Sequence, residues 1–204
     1  MGHKRTKTFF ERLGKALAAA LIAGVALLAP AERLTAAEVT NDTELSVARE
    51  ADGTFRVHGE FTVMASRPVA WAVLTDYANL PVFVSSLRTS VITERQADSI
   101  TVVQHGVGKV GPFTRSVDVT LEVIETEPSR IDFRDLSGRT FTSYAGTWAI
   151  SEIPGGVHVT YDVRVLPRTP PPVFGRTIVG RNARHLLDQV RLEMARRAVF
   201  MASR

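Results

Sequence analysis

From residue 44 onward, apolar and polar side chains alternate in runs separated by turn residues, and the order of those runs outlines a fold. Residues 44–50 and 54–64 read as two strands joined at Asp52-Gly53, a dipeptide that favours tight hairpins. In the second, Phe55, Val57, Gly59, Phe61 and Val63 alternate with Arg56, His58, Glu60 and Thr62, the period of a sheet with one dry face. The period then changes. Ser66 stands as an N-cap with Pro68 in the first turn, and Ala70, Val73, Leu74 and Tyr77 follow at helical spacing, with Trp71 widening the apolar face. That run breaks at residues 77–81 and restarts through Leu80, Pro81 and Phe83, so two short helices are predicted.

Strand periodicity resumes over residues 88–95, 99–110, 113–125, 130–135, 139–152 and 157–166, with short turns between, which predicts an antiparallel meander. In 113–125, Phe113, Val117, Val119, Leu121 and Val123 lie in phase, and Arg115 falls among them. Tyr144, Gly146, Trp148 and Ile150 share one face of their strand, as do Val157, Val159, Tyr161, Val163 and Val165 of the next. Pro170-Pro171-Pro172 ends the sheet, and a helix over 173–200 carries an apolar stripe of Val179, Ala183, Leu186, Leu187, Val190 and Met194. A one-sided sheet and one long amphipathic helix bury each other best when the sheet curls around the helix. The predicted class is α+β: a curved antiparallel sheet wrapped around a long C-terminal helix, with two short helices after the second strand.

Residues 1–37 stand apart. Lys4, Arg5, Lys7, Arg12 and Lys15 precede the apolar run ALAAALIAGVALLA, the layout of a secretory signal, with small-residue sites at Ala29-Pro30-Ala31 and Thr35-Ala36-Ala37. The alternative is an uncleaved anchor, although the run is short for the ~30 Å of a hydrocarbon core. An exported, periplasmic or extracytoplasmic domain over 38–204 is therefore expected. Asn41-Asp42-Thr43 matches a glycosylation sequon, but no other feature points to a eukaryotic secretory route.

Setting 1–37 aside changes the charge picture, because it holds six of the chain's 25 Lys/Arg and two of its 21 Asp/Glu, leaving 19 of each. Those are segregated: residues 38–163 carry 10 basic and 17 acidic side chains, and residues 164–204 carry nine and two. Nucleic acid is not expected as a partner, since the basic residues lack interleaved aromatics. The outward arginines Arg181, Arg184, Arg191 and Arg196 suggest peripheral contact with an anionic membrane instead, or simply a solvated helix face. A monomer without disulfides is expected, the chain having no cysteine.

The candidate chemistry is sparse. Asp76 beside Tyr77 offers an acid pair, but neighbours on a helix point about 100° apart, so Asp76 is expected to organise the turn as an Asx-turn or cap. The Tyr77 ring lies in the apolar phase with a hydroxyl that needs a polar partner. Arg115 must hold a ligand group, find a carboxylate, or snorkel out at the strand end. Only one of Gln104 and His105 can face inward, and Gly106 and Gly108 beside them leave room. The histidines show no metal-ligand spacing, and no phosphate loop, dinucleotide fingerprint or nucleophile elbow occurs, so no metal and no cofactor are expected.

The element order, together with AWAVLTDYANLPVF, GKVGPF, VTLEVIE, YAGTWAI and HVTYDVRVLPR, resembles the cyclase/dehydrase group that includes the coenzyme Q-binding START-type proteins. That group belongs to the helix-grip superfamily of START and Bet v 1-like domains, and the resemblance covers roughly residues 52–200. It implies a deep apolar cavity between sheet and long helix, with its mouth near the helix pair and the strand turns. The residues that would line it are Trp71, Leu74, Tyr77, Leu80, Phe83, Arg115, Val117, Val119, Tyr144, Trp148, Tyr161, Leu186, Val190 and Met194. The resemblance implies non-catalytic binding or transport of a lipid, quinone or polyketide-like molecule. Two rivals stand beside it: a cyclase or dehydratase in which Arg115, Tyr144 and Tyr161 polarise the substrate, and a periplasmic interaction module that docks through its last helix.

Overall fold

In the computed structural model, residues 43–110, 113–169 and 174–203 are described; the expected signal in 1–37 and the sequon asparagine lie outside them. Strands β1 (Glu44–Arg49) and β2 (Phe55–Val63) lead into helix α1 (Arg67–Leu74), a 3-10 turn (Tyr77–Asn79) and the short helix α2 (Leu80–Phe83). Then come β3 (Leu87–Arg95), β4 (Ile100–Val110), β5 (Phe113–Thr126), β6 (Arg130–Asp135), β7 (Phe141–Ile153), β8 (Gly156–Pro167) and the long helix α3 (Gly175–Ala202). The predicted order and class hold throughout. Every neighbouring pair is antiparallel, in the order β1-β2-β8-β7-β6-β5-β4-β3. The only non-consecutive neighbours are β2 and β8, so the chain closes on itself where its last strand returns to its second.

The alternation read from sequence is the burial pattern: Phe55, Val57, Phe61 and Val63 of β2 are buried, as are Val157, Val159, Tyr161, Val163 and Val165 of β8. On this dry face α3 seats Leu187, Val190 and Met194, all nearly fully buried. Gly59 sets how close the helix comes, because a Cβ there would stand 2.4 Å from Leu187 Cδ1. Arg184 donates to the Thr43 carbonyl at 2.6 Å and the Thr43 hydroxyl to Asp188 at 2.6 Å, strapping the start of β1 to mid-helix.

The C-terminal part of α3 is tied to the helix pair by charge. Glu193, whose side chain is 8% exposed, accepts two hydrogen bonds from Arg196 and one from Arg197, each 2.7 Å. Arg197 also reaches Asp76 at 2.8 Å and lies 5.7 Å from the centre of the Phe83 ring. Asp76 stands at the N-cap of the 3-10 turn without the expected side-chain cap: one oxygen accepts from the Asn79 side-chain amide at 2.7 Å and the other anchors α3. Ser66 occupies the N-cap of α1 without a side-chain capping bond; the first turn rests on Pro68 and on the Ala70 N–H donating to the Ser66 carbonyl.

The outer face of the sheet is a lattice of ion pairs. Glu50 takes Arg56 and Arg164, Asp132 takes Arg130, Glu122 takes Arg134, and His58 and His105 pair with Asp162 and Asp118. The Asp162 carboxylate raises the His58 pKa above its ordinary value, outweighing partial burial.

Candidate functional site

Between α3 and the dry face lies a cavity of about 350 Å³, within the range of small-molecule sites. One wall is β5 and β6, through Val117, Val119, Leu121, Val123, Ile131 and Phe133. A second is β8, through Tyr161, Val163 and Val165, and the helix wall is Val179, Ala183, Leu186 and Val190. Leu74, Tyr77 and Leu80 come from the helix pair. Among the described residues no Asp, Glu, Lys or Arg lines it, so a charged ligand group entering would lose its hydration without a counter-ion from them.

The deepest specific feature is aromatic. Tyr144 contacts Phe133 and Phe141 with ring centres 5.4 and 5.1 Å apart, and Tyr161 contacts Trp148 at 4.3 Å and Phe133 at 6.4 Å. The register β7↔β8 sets Trp148 opposite Tyr161, and a bulge between Phe141 and Ser143 brings Phe141 beside Tyr144 despite their odd spacing. The two tyrosine hydroxyls face each other at 3.5 Å, a long and weak hydrogen bond. Burial raises both pKa values, Tyr161 well above ordinary phenol, so both groups remain neutral O–H donors.

Of the residues expected to line the cavity, Leu74, Tyr77, Leu80, Val117, Val119, Tyr144, Trp148, Tyr161, Leu186 and Val190 come together there. Four do not. Arg115 is exposed, two residues beyond Val117 at the outer end of β5, so its guanidinium reaches water as the snorkelling alternative describes. Phe113, in the same phase, is 70% exposed. Trp71 and Met194 are buried in solid core, and Phe83 is half-buried beside Arg197. Tyr77 offers its ring alone, since its hydroxyl leaves the cavity to donate to Glu125 at 2.6 Å; burial first, then that carboxylate, push its pKa far up.

The mouth lies by the helix pair and the strand turns, where the resemblance implies it; the polar contacts that close it carry no signal in the sequence. Three segments meet there: the loop after α2, the ends of β4 and β5, and the N-terminal half of α3. Gln189 accepts from the Ser85 N–H at 3.2 Å, the Ser85 hydroxyl meets His185 Nε2 at 3.1 Å, and Asn182 donates to the Lys109 carbonyl at 3.3 Å. Gly106 lets the loop lie on β4, a Cβ there standing 2.6 Å from the Ser86 carbonyl oxygen. Gln104 faces inward and donates to Ser90 at 3.2 Å, while His105 faces out to Asp118 at 2.6 Å.

Of the arginines assigned to membrane contact, Arg181 is exposed one residue before Asn182 of the mouth, and Arg184 is exposed but donates to the Thr43 carbonyl at the start of β1. Arg196 is instead held by Glu193, and Arg191 is half-buried with its Nε shut away from solvent. Among the described residues no group of His and carboxylate side chains has the arrangement of a metal site.

The family model for polyketide cyclase/dehydrase and lipid transport matches residues 54–198. Solved structures with this fold include a STAR-related lipid transfer protein from Xanthomonas axonopodis, with 15% identity, TM-score 0.58, and 74% of this chain and 98% of that one covered. An aromatase/cyclase from Streptomyces sp. R1128 has 19% identity and TM-score 0.61, covering 71% and 95%. A START superfamily protein from Mycobacterium smegmatis has 16% identity and TM-score 0.55, covering 72% and 98%. No curated protein sequence matches the chain.

Proposed function

Because the chain belongs to the polyketide cyclase/dehydrase and lipid transport family, we propose that it binds and carries a neutral, largely apolar small molecule without transforming it. The observation that carries this reading is the lining itself: an apolar volume whose described lining carries no formal charge, with its few polar groups at two places. Ligand affinity comes from apolar burial at about 25 cal/mol per Å². The aromatic group around Tyr144 and Tyr161 suits an unsaturated or planar portion, and the two hydroxyls suit one carbonyl or hydroxyl oxygen.

The tyrosine pair also favours a catalytic alternative, since two donors converge on one spot as an enolate or carbonyl oxygen would require. A cyclase or dehydratase needs a proton acceptor near that spot as well. The described lining offers His185, engaged with Ser85 at the mouth, and no carboxylate. Binding without chemistry is the better-supported reading.

Native mass spectrometry of the protein after mild extraction tests it. The expected result is one neutral species, released intact on denaturation and taken up again by the emptied protein. Protein without any bound species that also fails to bind a neutral fluorescent probe saturably would remove the reading, and a ligand released in altered form would favour the catalyst.

We also place the protein outside the cytoplasm, on the strength of the basic and apolar segment in residues 1–37. A reporter that acquires activity only after export, fused behind the full chain, should be active. Activity unchanged by deleting residues 1–37 would exclude that segment as the signal.

A further inference from the structure

The segments that form the mouth, residues 80–88, 105–110 with 113–117, and 174–186, contain Arg88, Lys109, Arg115, Arg176, Arg181 and Arg184 and not one Asp or Glu. All six residues are exposed and none is in an ion pair among the described residues, although Arg184 is held by the Thr43 carbonyl and leaves five for other partners. Elsewhere the basic residues are mixed with acid: Arg56, Arg130, Arg134 and Arg164 on the outer sheet face, and Arg196 and Arg197 far along α3, are matched to carboxylates, while among the described residues Arg49, Arg95, Arg139, Arg168 and Arg191 are not. The same three segments expose large apolar side chains, Val82 at 83%, Phe113 at 70% and Phe174 at 73%. Hydrogen bonds from Ser85 to His185 and Gln189, from Val107 to the Ser86 carbonyl, and from Asn182 to the Lys109 carbonyl hold the segments together as one rim.

An uncompensated cationic rim with projecting apolar groups, around the opening of an uncharged cavity, has the composition of an interfacial membrane site. We infer that the protein docks mouth-first on an anionic phospholipid surface, Val82, Phe113 and Phe174 entering the headgroup boundary and Arg88, Lys109, Arg115, Arg176 and Arg181 lying against phosphate. This rests on the carrier reading: a poorly water-soluble ligand then passes between bilayer and cavity without crossing water. Docking is peripheral, since among the described residues no helix is long and apolar enough to cross a membrane. Charge also sets the orientation. The remaining surface holds most of the 17 acidic side chains of residues 38–163 and is repelled by the same lipid.

Hydrogen–deuterium exchange of the full chain, with phosphatidylcholine vesicles containing or lacking phosphatidylglycerol, tests the inference without confusing the rim with the N-terminal segment. Peptides covering residues 80–88, 113–117 and 174–186 should be protected by the anionic vesicles, not by the neutral ones, and less so as salt is raised. A triple variant, Lys109→Glu, Arg176→Glu and Arg181→Glu, should lose that protection and bind anionic vesicles at least about tenfold more weakly. Arg95→Glu, at the far end of β3, should match the wild type. Protection confined to N-terminal peptides, equal protection by neutral vesicles, or equal protection by soluble heparin would each overturn membrane docking, the last pointing to a general polyanion site. Uptake of a neutral fluorescent probe in solution separates the two readings: the triple variant keeps it if only docking is lost, and its absence from the wild type removes the carrier reading whatever the vesicles do.

Discussion

Two phenols that face each other across 3.5 Å in an uncharged cavity cannot satisfy each other fully. One proton lies between them at most, and the second O–H must find another acceptor, which an apolar wall of valines and phenylalanines does not provide. A ligand oxygen placed against the pair repairs this deficit, so Tyr144→Phe or Tyr161→Phe should weaken a carbonyl-bearing probe by about 1 kcal/mol, or roughly fivefold, and leave a pure hydrocarbon probe unchanged. Fluorescence titration of both probes reads the difference; equal losses for the two would mean that the hydroxyls act through packing alone. Burial raises both pKa values, so the donors stay protonated past the ordinary phenol value of 10.0, and carbonyl-probe affinity should be level from pH 7 to about 10.

Among the elements, the contact between α3 and β2 decides how much space remains beneath the helix. Gly59→Ala pushes a methyl group toward Leu187 Cδ1 and should destabilise the fold by about 2 kcal/mol, with Leu187→Ala costing about 3. The double variant should cost clearly less than the sum, because trimming Leu187 removes the obstacle; additive losses in urea unfolding would show that the two do not meet. Glu193 governs the other end of α3. Hydrogen bonds from Arg196, opposed by burial and helped by Arg197, hold its pKa below the ordinary 4.5. Its folded-state pKa is the lower one, so its contribution is present above that ordinary value and fades as pH falls through the depressed one. Glu193→Gln should therefore cost about 2 kcal/mol at pH 7 and almost nothing near pH 2; an undiminished difference in acid would rule out the charge as its source.

These same elements mark what was legible in the chain. Strand alternation carried the fold, because each residue on a half-buried strand reports its own face. Arg115 misled because phase gives the side of the sheet and not the distance along it, and β5 at 14 residues outruns the cavity. The β7 bulge hid Phe141 from a period-two reading, and Asp76–Arg197, Tyr77–Glu125 and Ser85–His185 join residues 121, 48 and 100 apart, pairings that no local pattern contains.

On the scale of the whole molecule, the cavity opens along the seam where α3 meets the loop after α2, and that seam is closed mainly by polar contacts. Gln189 and His185 on the helix hold both the N–H and the hydroxyl of Ser85, while Asn182 holds the β4 end. Such bonds contribute about 1 kcal/mol each and break without disturbing the buried stripe of Leu187, Val190 and Met194 that keeps α3 on the sheet. On the carrier reading, ligand passage needs the loop to swing from the helix and does not need the helix to leave its seat. A latch that closes alike over a filled and an empty cavity sets the barrier to exchange and not the affinity. Gln189→Ala should speed both uptake and release of a fluorescent ligand by about fivefold with Kd nearly unchanged, and adding Ser85→Ala should extend the gain, as stopped-flow mixing would record. A change in Kd with unchanged rates would mean that Gln189 serves the bound ligand and not the door. A vesicle surface that favours the open loop would speed exchange in the wild type and leave the unlatched variant little to gain, which ties the kinetics of the mouth to the rim that surrounds it.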